Sequence, residues 1–134
     1  MTYYEILKID EDGKITFPMD CAYDLGLVKD SYFVLEVSPE VKEARLERVA
    51  LPGKELVELE LVLKDKPGTL STISGILGKH KVNILFNEGE EISSTEAVLI
   101  AVIDISQIDT SVEELTEELK AHDRVINISV KDVE

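Results

Sequence analysis

Hydrophobic and polar residues recur with two different periods in the second half of the chain. Single alternation from Leu56 to Leu63 predicts a strand with one buried face. Leu70, Ile73 and Leu77 recur at three- and four-residue spacing, which predicts an amphipathic helix. The run from Ala97 to Ile105 is apolar on both faces. It therefore predicts a central strand whose second face is also covered, for example by another subunit.

Shorter patterns complete this half of the chain. Asn83 to about Phe86 predicts a strand that continues into a polar hairpin, and Val125 to about Val130 predicts a last strand. Between them, Ser111 and Glu114 form a capping box for a helix from Val112 to His122. The order strand-helix-strand-strand-helix-strand predicts an α+β fold, a ferredoxin-like sandwich of two helices on an antiparallel sheet.

Small residues share one side of the first of these helices. Ser71, Gly75 and Gly78 lie on that side. Glycine in a helix interior costs roughly 1 kcal/mol relative to alanine. Close approach of a sheet or of another helix is a sufficient reason for both glycines, so we expect this side of the helix to be packed.

The first fifty residues predict a smaller, mainly β domain. An acidic turn that ends in Gly13, and a short helix that begins after Pro18 and ends at Gly26, separate short β-forming runs. Leu51 to Lys54 predicts a linker, which divides the chain into domains at residues 1–52 and 55–134. The predicted strands of the first domain are 3–9, 14–17, 31–37 and 44–50, and its helix is 19–25.

The turn between the first strand and the first helix of the second domain is the candidate ligand site. Pro67 fixes its own φ, while Gly68 lets the backbone bend and leaves room for a small molecule. The helix that follows presents unpaired N–H groups and a partial positive charge, which suit a carboxylate. Asp65 could accept from an ammonium group and Asn83 could accept or donate, so a free amino acid would find both kinds of partner.

Residues 61–84 resemble the opening of an ACT domain, a regulatory module that binds amino acids in many metabolic enzymes. The resemblance implies a ligand between two subunits, with the Pro-Gly loop of one facing residues near the second strand of the other. Asp65 stands where the family often has Asn or another neutral polar residue. Carried over by position, the implied ligand-binding residues are Asp65, Lys66, Pro67, Gly68, Thr69, Leu70, Asn83, Ile84 and Leu85.

Residues 8–18, together with 25–27, resemble the swapped-hairpin domain of AbrB/SpoVT-type transition-state regulators. The resemblance implies an intertwined homodimer. In DNA-binding members the short helix and its surroundings are rich in Arg and Lys, whereas Ala22 and Tyr23 stand here at the positions that usually carry arginines. Residues 1–52 contain six Lys and Arg against eleven Asp and Glu, a net charge of −5. DNA binding is therefore not expected, although the dimerising fold could remain.

Composition narrows the class of protein further. Hydrophobic content of 44% and charged content of 31% in 134 residues are typical of a soluble globular chain. A net charge of −14 repels phosphate backbones and argues against general nucleic-acid binding. No apolar run reaches the length of a membrane span and the N-terminus lacks a signal-peptide pattern, so we expect no membrane association and a cytoplasmic protein.

The sequence offers no catalytic or metal-binding arrangement. The single cysteine, Cys21, excludes an internal disulfide framework and is interpreted as a buried structural thiol. His80 and His122 each follow a helix, where a cation complements the helix dipole, and a zinc site would need further ligands. No Ser-His-Asp arrangement, phosphate loop or dinucleotide fingerprint appears, so we expect neither enzyme activity nor a cofactor.

Together these patterns predict a non-enzymatic allosteric regulator that senses an amino acid or a similar small metabolite. The ligand would stabilise one arrangement of a homodimer or tetramer, and the N-terminal domain would relay that preference to a partner. Two other classes stay open, an AbrB-like DNA-binding transcription regulator and an accessory subunit that docks on a biosynthetic enzyme. A plainer alternative is a dimeric scaffold in which Gly68 serves only the turn and Asn83 only the joint between helix and strand.

Overall fold

The computed structural model describes residues 1–133. No helix among them is both long enough and apolar enough to cross a membrane. The helices and strands follow one another as α1 (Met19–Leu25), β1 (Tyr32–Ser38), β2 (Glu43–Ala50), β3 (Leu56–Lys64), α2 (Thr69–Lys79), β4 (Asn83–Glu91), β5 (Glu96–Asp104), α3 (Val112–Ala121) and β6 (Val125–Asp132).

The second domain has the predicted strand-helix order and sheet. Its four strands form one antiparallel sheet in the order β4-β5-β3-β6, with α2 and α3 as the crossing helices. β4 is longer than predicted, because its polar residues stay in the ladder as far as the pair Glu91 and Ala97. The last strand, β6, likewise extends to Asp132. The ferredoxin-like prediction for this half of the chain is confirmed.

The core lies between the sheet and the two helices. Alternating residues of β3 and the apolar faces of α2 and α3 meet there, as the two periods of the sequence predict. Each such side chain contributes roughly 1.5–3 kcal/mol on burial. The largest side chains with less than 2% of their surface exposed are those of Leu59, Leu61, Ile73, Leu77, Ile103, Leu115 and Leu119.

Two surfaces that were expected to be covered are open in a single chain. On the second face of β5, Val98, Ile100 and Val102 are only half-buried. On α2, a methyl group added at Gly75 or Gly78 would meet nothing within 4 Å. The prediction of close packing at these glycines is therefore wrong within the described chain, residues 1–133.

The capping box of α3 forms only in part. The Ser111 hydroxyl accepts from the Glu114 N–H at 3.0 Å, as predicted. The Glu114 carboxylate, however, accepts from the hydroxyl of Thr110 instead of returning to the Ser111 backbone. The helix start is thus correctly predicted, and the second half of the box is replaced by a neighbouring hydroxyl.

The N-terminal domain departs most from prediction. The helix α1 ends at Gly26, which has φ +70°, and β1 pairs with β2 in an antiparallel hairpin, both as expected. The turn before them also forms, since Asp10 N donates to Lys14 O at 3.1 Å. The predicted strands at residues 3–9 and 14–17 are wrong for the single chain, because the described residues offer them no strand to pair with.

Candidate functional site

The bend between β3 and α2, residues 65–68, has the backbone geometry that the Pro-Gly pair predicts. Gly68 is the N-terminal cap of α2 with φ +85°, a conformation that favours glycine. At the start of the bend, Asp65 N donates to Thr95 O at 2.8 Å. At its end, Thr72 N donates to Gly68 O at 2.9 Å, which begins the helix. The bend is therefore fixed at both ends while its middle faces solvent.

A buried hydroxyl holds the inner side of the bend. Thr69 is only 6% exposed, and its hydroxyl donates to Lys64 O at 3.0 Å. The hydroxyl oxygen of Thr69 accepts from Arg124 Nη1 at 2.8 Å, and that nitrogen also donates to Pro67 O at 3.1 Å. The Thr69 side chain thus stabilises the bend from within. No sequence pattern marks Arg124, which reaches the bend because β3 and β6 are neighbours in the sheet.

A cavity of about 350 Å³ opens beside the bend. Its walls come from the bend, from the first turn of α2, and from β4 and β5 at Gly89 and Leu99. The backbone N–H groups of Gly68, Leu70 and Ser71 have no acceptor among residues 1–133. The predicted site residues that line this bend cavity are Asp65, Lys66, Gly68, Thr69 and Leu70.

Pro67 lies in the bend but does not line the cavity, and the other three predicted site residues lie at the opposite end of the sheet. Asn83 opens β4 and pairs with Asp104, whereas Gly89, beside the bend cavity, pairs with Leu99. At roughly 3.3 Å per residue, Asn83 is about 20 Å from Gly89 along the strand. Ile84 packs against the core, and Leu85 lines a different cavity. One protomer therefore does not bring the two halves of the predicted site together.

A buried carboxylate lies beside Asn83. Asp104 is 4% exposed, and its Oδ1 accepts from Ser106 N at 3.0 Å and from Glu55 N at 3.3 Å. Lys54 Nζ is 3.6 Å from its Oδ2. Burial raises the pKa of this carboxyl, but the hydrogen bonds from Ser106 and Glu55 and the charge of Lys54 outweigh burial, so the pKa is lowered. Asp104 fixes the end of the linker against the sheet.

A histidine lies between two carboxylates at the far end of α2. His80 Nε2 is 2.7 Å from Glu118 Oε1, and Nδ1 is 2.9 Å from Asp109 Oδ1. The pKa of His80 is raised by the hydrogen bond to Glu118 and then by that to Asp109, while burial opposes the rise. The sequence indicated only a cation at the end of a helix. The structure adds contacts from His80 to α3 and to the segment before it.

Other candidate groups in the described chain are structural in character. No group of three His, Cys, Asp or Glu side chains within residues 1–133 is arranged to hold a metal ion. Cys21 is half-buried beside a cavity of about 380 Å³ between α1 and the N-terminal arm, residues 1–17. There the Tyr3 hydroxyl donates to Asp24 at 2.5 Å. This contact holds the N-terminal arm against α1.

Comparisons with known proteins cover both the sheet and the N-terminal domain. The family model of the ACT domain matches residues 57–124. The UPF0735 ACT domain-containing protein of Clostridium tetani (strain Massachusetts / E88) is 28% identical over 127 residues, which cover 94% of this chain and 79% of that protein. This match extends well beyond residues 57–124 into the N-terminal domain.

Two solved structures are similar to part of this chain. The C-terminal domain of the MgtC protein from Mycobacterium tuberculosis, a solution structure, has a TM-score of 0.51 at 14% identity, covering 64% of this chain and 95% of that one. The crystal structure of the ACT domain from GTP pyrophosphokinase of Chlorobium tepidum has a TM-score of 0.46 at 18% identity, covering 57% of this chain and 97% of that one. At 14% identity, the similarity to the MgtC domain shows the fold alone.

Proposed function

The chain belongs to the ACT domain family, and on that premise we propose that it is a non-enzymatic regulator that binds a free amino acid, or a similar small metabolite, between two protomers. An ACT domain suggests a role in small-molecule binding and regulation. The observation that carries the proposal is the bend cavity, where five predicted residues meet beside unpaired backbone N–H groups. Its volume falls within the range of about 300–1,000 Å³ common for small-molecule sites.

The charges around the bend cavity suit the two ends of an amino acid. The free N–H groups of Gly68 and Leu70, at the positive end of α2, would receive the carboxylate. Asp65 is exposed at the rim of the cavity and would accept from the ammonium group. Leu99 and Leu70 offer apolar surface to the side chain of the ligand. The site would thus select a zwitterion over an amine or an acid alone.

A second protomer would complete the site. Asn83, Ile84 and Leu85 are too far from the bend of their own chain to contact the same small molecule, so they would act on the cavity of a partner. β4 is an edge strand that pairs only with β5 among the described strands, although the end of β2 lies beside it at Leu85. The rest of its outer edge is available for this approach. An unpaired strand edge is a template for pairing with another chain.

We extend the proposal to the N-terminal domain, residues 1–52, as a dimerisation module. Among residues 1–50 only Ala50 is buried, and α1 buries none of its side chains. An isolated two-stranded hairpin such as β1–β2 is marginally stable at best in water. Large apolar side chains of the N-terminal arm are exposed, including Ile6 at 88% and Ile15 at 52%. A second copy of the same domain would bury them and pair the free backbone of the arm.

The linker offers a route from ligand to dimer. Asn83 pairs with Asp104 across the sheet, and the Asp104 carboxylate holds Glu55 N and Lys54 at the end of the linker. A ligand contact at Asn83 would therefore act one residue pair away from the joint between the two domains. Binding would favour one arrangement of the dimer. The shift in free energy would equal the difference between the ligand's binding free energies for the two arrangements.

DNA binding is not part of the proposal. The exposed surface of α1 carries Asp20 and Asp24 and contains no Lys or Arg between Met19 and Leu25. The net charge of −14 adds a repulsion for phosphates over the whole chain. A regulator of this kind would act through a protein partner. The second candidate function is that of an accessory subunit which docks on a biosynthetic enzyme.

A thermal-shift screen of the full chain against the common amino acids tests the proposal. A ligand at a hundredfold excess over its dissociation constant should add about 2.7 kcal/mol to the free energy of unfolding. The corresponding amino amide lacks the carboxylate, and the variant Asp65→Leu lacks the acceptor for the ammonium group. Both should reduce the shift. No shift with any amino acid would count against the site.

A further inference from the structure

We propose that Arg124 is a positioning residue of the bend, which holds residues 65–68 in the shape that directs the Gly68 N–H into the bend cavity. This inference rests on the proposed function for the ligand that the shape would serve. Bracing here means the hydrogen bonds from Arg124 to the bend. They lie within one chain, so their effect can be tested without a ligand. Arg124 would not contact the ligand, since it is not among the residues that line the cavity.

A closed set of hydrogen bonds ties Arg124 to both ends of the bend. Lys64 N donates to Arg124 O at 2.9 Å, where β3 ends and β6 is about to begin. Arg124 Nη1 donates to Pro67 O at 3.1 Å and to the Thr69 hydroxyl at 2.8 Å. That hydroxyl donates its own proton back to Lys64 O at 3.0 Å. Since a hydroxyl has a single proton, Thr69 needs a donor as its other partner, and Arg124 supplies one.

The geometry of the peptide bond explains what this contact does to the site. In a trans peptide the C=O and the following N–H point in opposite directions. Because the carbonyl of Pro67 accepts from Arg124, the N–H of Gly68 must point away from the guanidinium. Gly68 lines the bend cavity, whereas Arg124 does not. Arg124 therefore determines the direction of a donor that it does not touch.

The guanidinium is suited to this role in a way that lysine is not. Its planar group holds the two hydrogens of Nη1 in fixed directions, towards Pro67 O and the Thr69 hydroxyl, whereas the hydrogens of an ammonium group rotate freely. A lysine at this position would retain the positive charge near the bend but would lose the planar geometry. Charge and geometry can thus be separated by Arg124→Lys and Arg124→Gln.

Amide hydrogen exchange measures the bracing directly in the full chain. Thr69 N donates to Lys66 O and Thr72 N to Gly68 O, so both amides report the closed bend. Hydrogen bonds to a charged donor are worth about 1.5–3 kcal/mol, so Arg124→Gln should speed exchange at Thr69 and Thr72 about tenfold or more. Exchange at Ala101 in β5 should not change. Arg45→Gln, which removes an exposed arginine paired with Glu47, is the matched control and should leave the bend unchanged.

Thr69→Val provides an independent variant if Arg124→Gln does not fold. It keeps a β-branched side chain and removes the hydroxyl, so the bend should loosen in the same way. The double variant should lose less than the sum of the single variants, because both remove one network. Unchanged exchange at Thr69 and Thr72 in a folded Arg124→Gln chain, or full additivity, would overturn the proposal.

Ligand affinity separates this inference from the proposed function. If an amino acid binds the wild-type chain, Arg124→Gln should weaken its binding about tenfold or more, and Arg124→Lys should recover only part of the loss. If no amino acid binds the wild-type chain, the proposed function fails, while the exchange experiment still decides whether Arg124 braces the bend. Equal affinity in Arg124→Gln and the wild type would contradict the positioning role.

Discussion

His80 Nε2 and Glu118 Oε1 lie 2.7 Å apart and join the end of α2 to α3. The other ring nitrogen lies 2.9 Å from Asp109 Oδ1. A neutral imidazole carries one N–H, so it can donate to one carboxylate and must turn a lone pair towards the other. Only the protonated ring satisfies both. The protonation of His80 and the packing of α2 on α3 are therefore coupled.

The free energy of unfolding should fall as the pH rises above about 6.5 and through the folded-state pKa of His80. The folded-state pKa of His80 is raised above the value of about 6.5 expected in the unfolded chain. The stabilisation is therefore fully present below about pH 6.5 and is lost as the pH rises through the folded pKa. Urea unfolding at a series of pH values measures it. The decrease in the free energy of unfolding with pH should be smaller in His80→Gln and unchanged in His122→Gln. An equal decrease in His80→Gln and the wild type would contradict the coupling.

Asp104→Ala should destabilise the chain more than Asp104→Asn. The alanine variant leaves the N–H groups of Glu55 and Ser106 without an acceptor, at a cost of roughly 1–3 kcal/mol each. An amide oxygen can still accept from both, so the asparagine variant loses mainly the attraction of Lys54. Unfolding monitored by circular dichroism would rank the two variants. Equal losses would mean that the carboxylate charge, not its hydrogen bonds, holds the linker.

The Asp104 carboxylate should also produce an acid limb, which is a decrease in the free energy of unfolding at low pH. Because the folded-state pKa of Asp104 is lowered, its contribution is present above the unfolded value of about 3.9 and is lost as the pH falls through the folded pKa. Asp104→Asn should flatten this limb. A limb as steep in Asp104→Asn as in the wild type would assign acid sensitivity to other carboxylates.

Local patterns were sufficient wherever the interacting residues are close in sequence or related by a simple period. Leu59 and Leu61 are two residues apart on one face of β3, and Ser111 caps α3 three residues ahead of Glu114. The Arg124 contact with Thr69 spans 55 residues. No period or motif marks it, so it emerges only when β3 and β6 are known to be neighbours.

The N-terminal arm shows a different limit of sequence patterns. Residues 3–9 and 14–17 have a composition that favours strands, and the turn between them forms. A strand, however, exists only in a ladder with a second strand. Alternation can indicate which residues would pair, but it does not say whether the partner belongs to the same chain. The same holds for the candidate site, because the sequence does not say whether Gly68 and Asn83 meet within one chain or between two chains.

Alanine at Gly75 should raise the stability of the isolated chain, whereas alanine at Gly68 should lower it. A Cβ at Gly75 meets nothing within 4 Å, so Gly75→Ala should add about 0.5–1 kcal/mol. Gly68 also has open space around it, but its φ of +85° should cost Gly68→Ala about 1–2 kcal/mol. Denaturant unfolding measures both. A loss in Gly75→Ala would indicate that a second copy packs on this side of α2.

A charge placed in the N-terminal arm should dissociate the proposed dimer. Ile15 is 52% exposed in the single chain. Among residues 1–50 only Ala50 is buried, so this part of the chain has no core of its own. If a second copy covers Ile15, then Ile15→Asp would bury an unpaired carboxylate, which costs on the order of several kcal/mol. Ile92→Asp is the matched control, because Ile92 is 55% exposed in the loop between β4 and β5.

Sedimentation velocity over a wide dilution series distinguishes the outcomes of that substitution. The wild type and Ile92→Asp should sediment as dimers or larger assemblies at concentrations where Ile15→Asp is monomeric. Because most of the buried apolar surface lies in residues 56–125, the second domain of the monomeric variant should stay folded. A wild-type chain that is monomeric throughout the series would refute dimerisation. The bend cavity would then lack the partner that brings Asn83 to it.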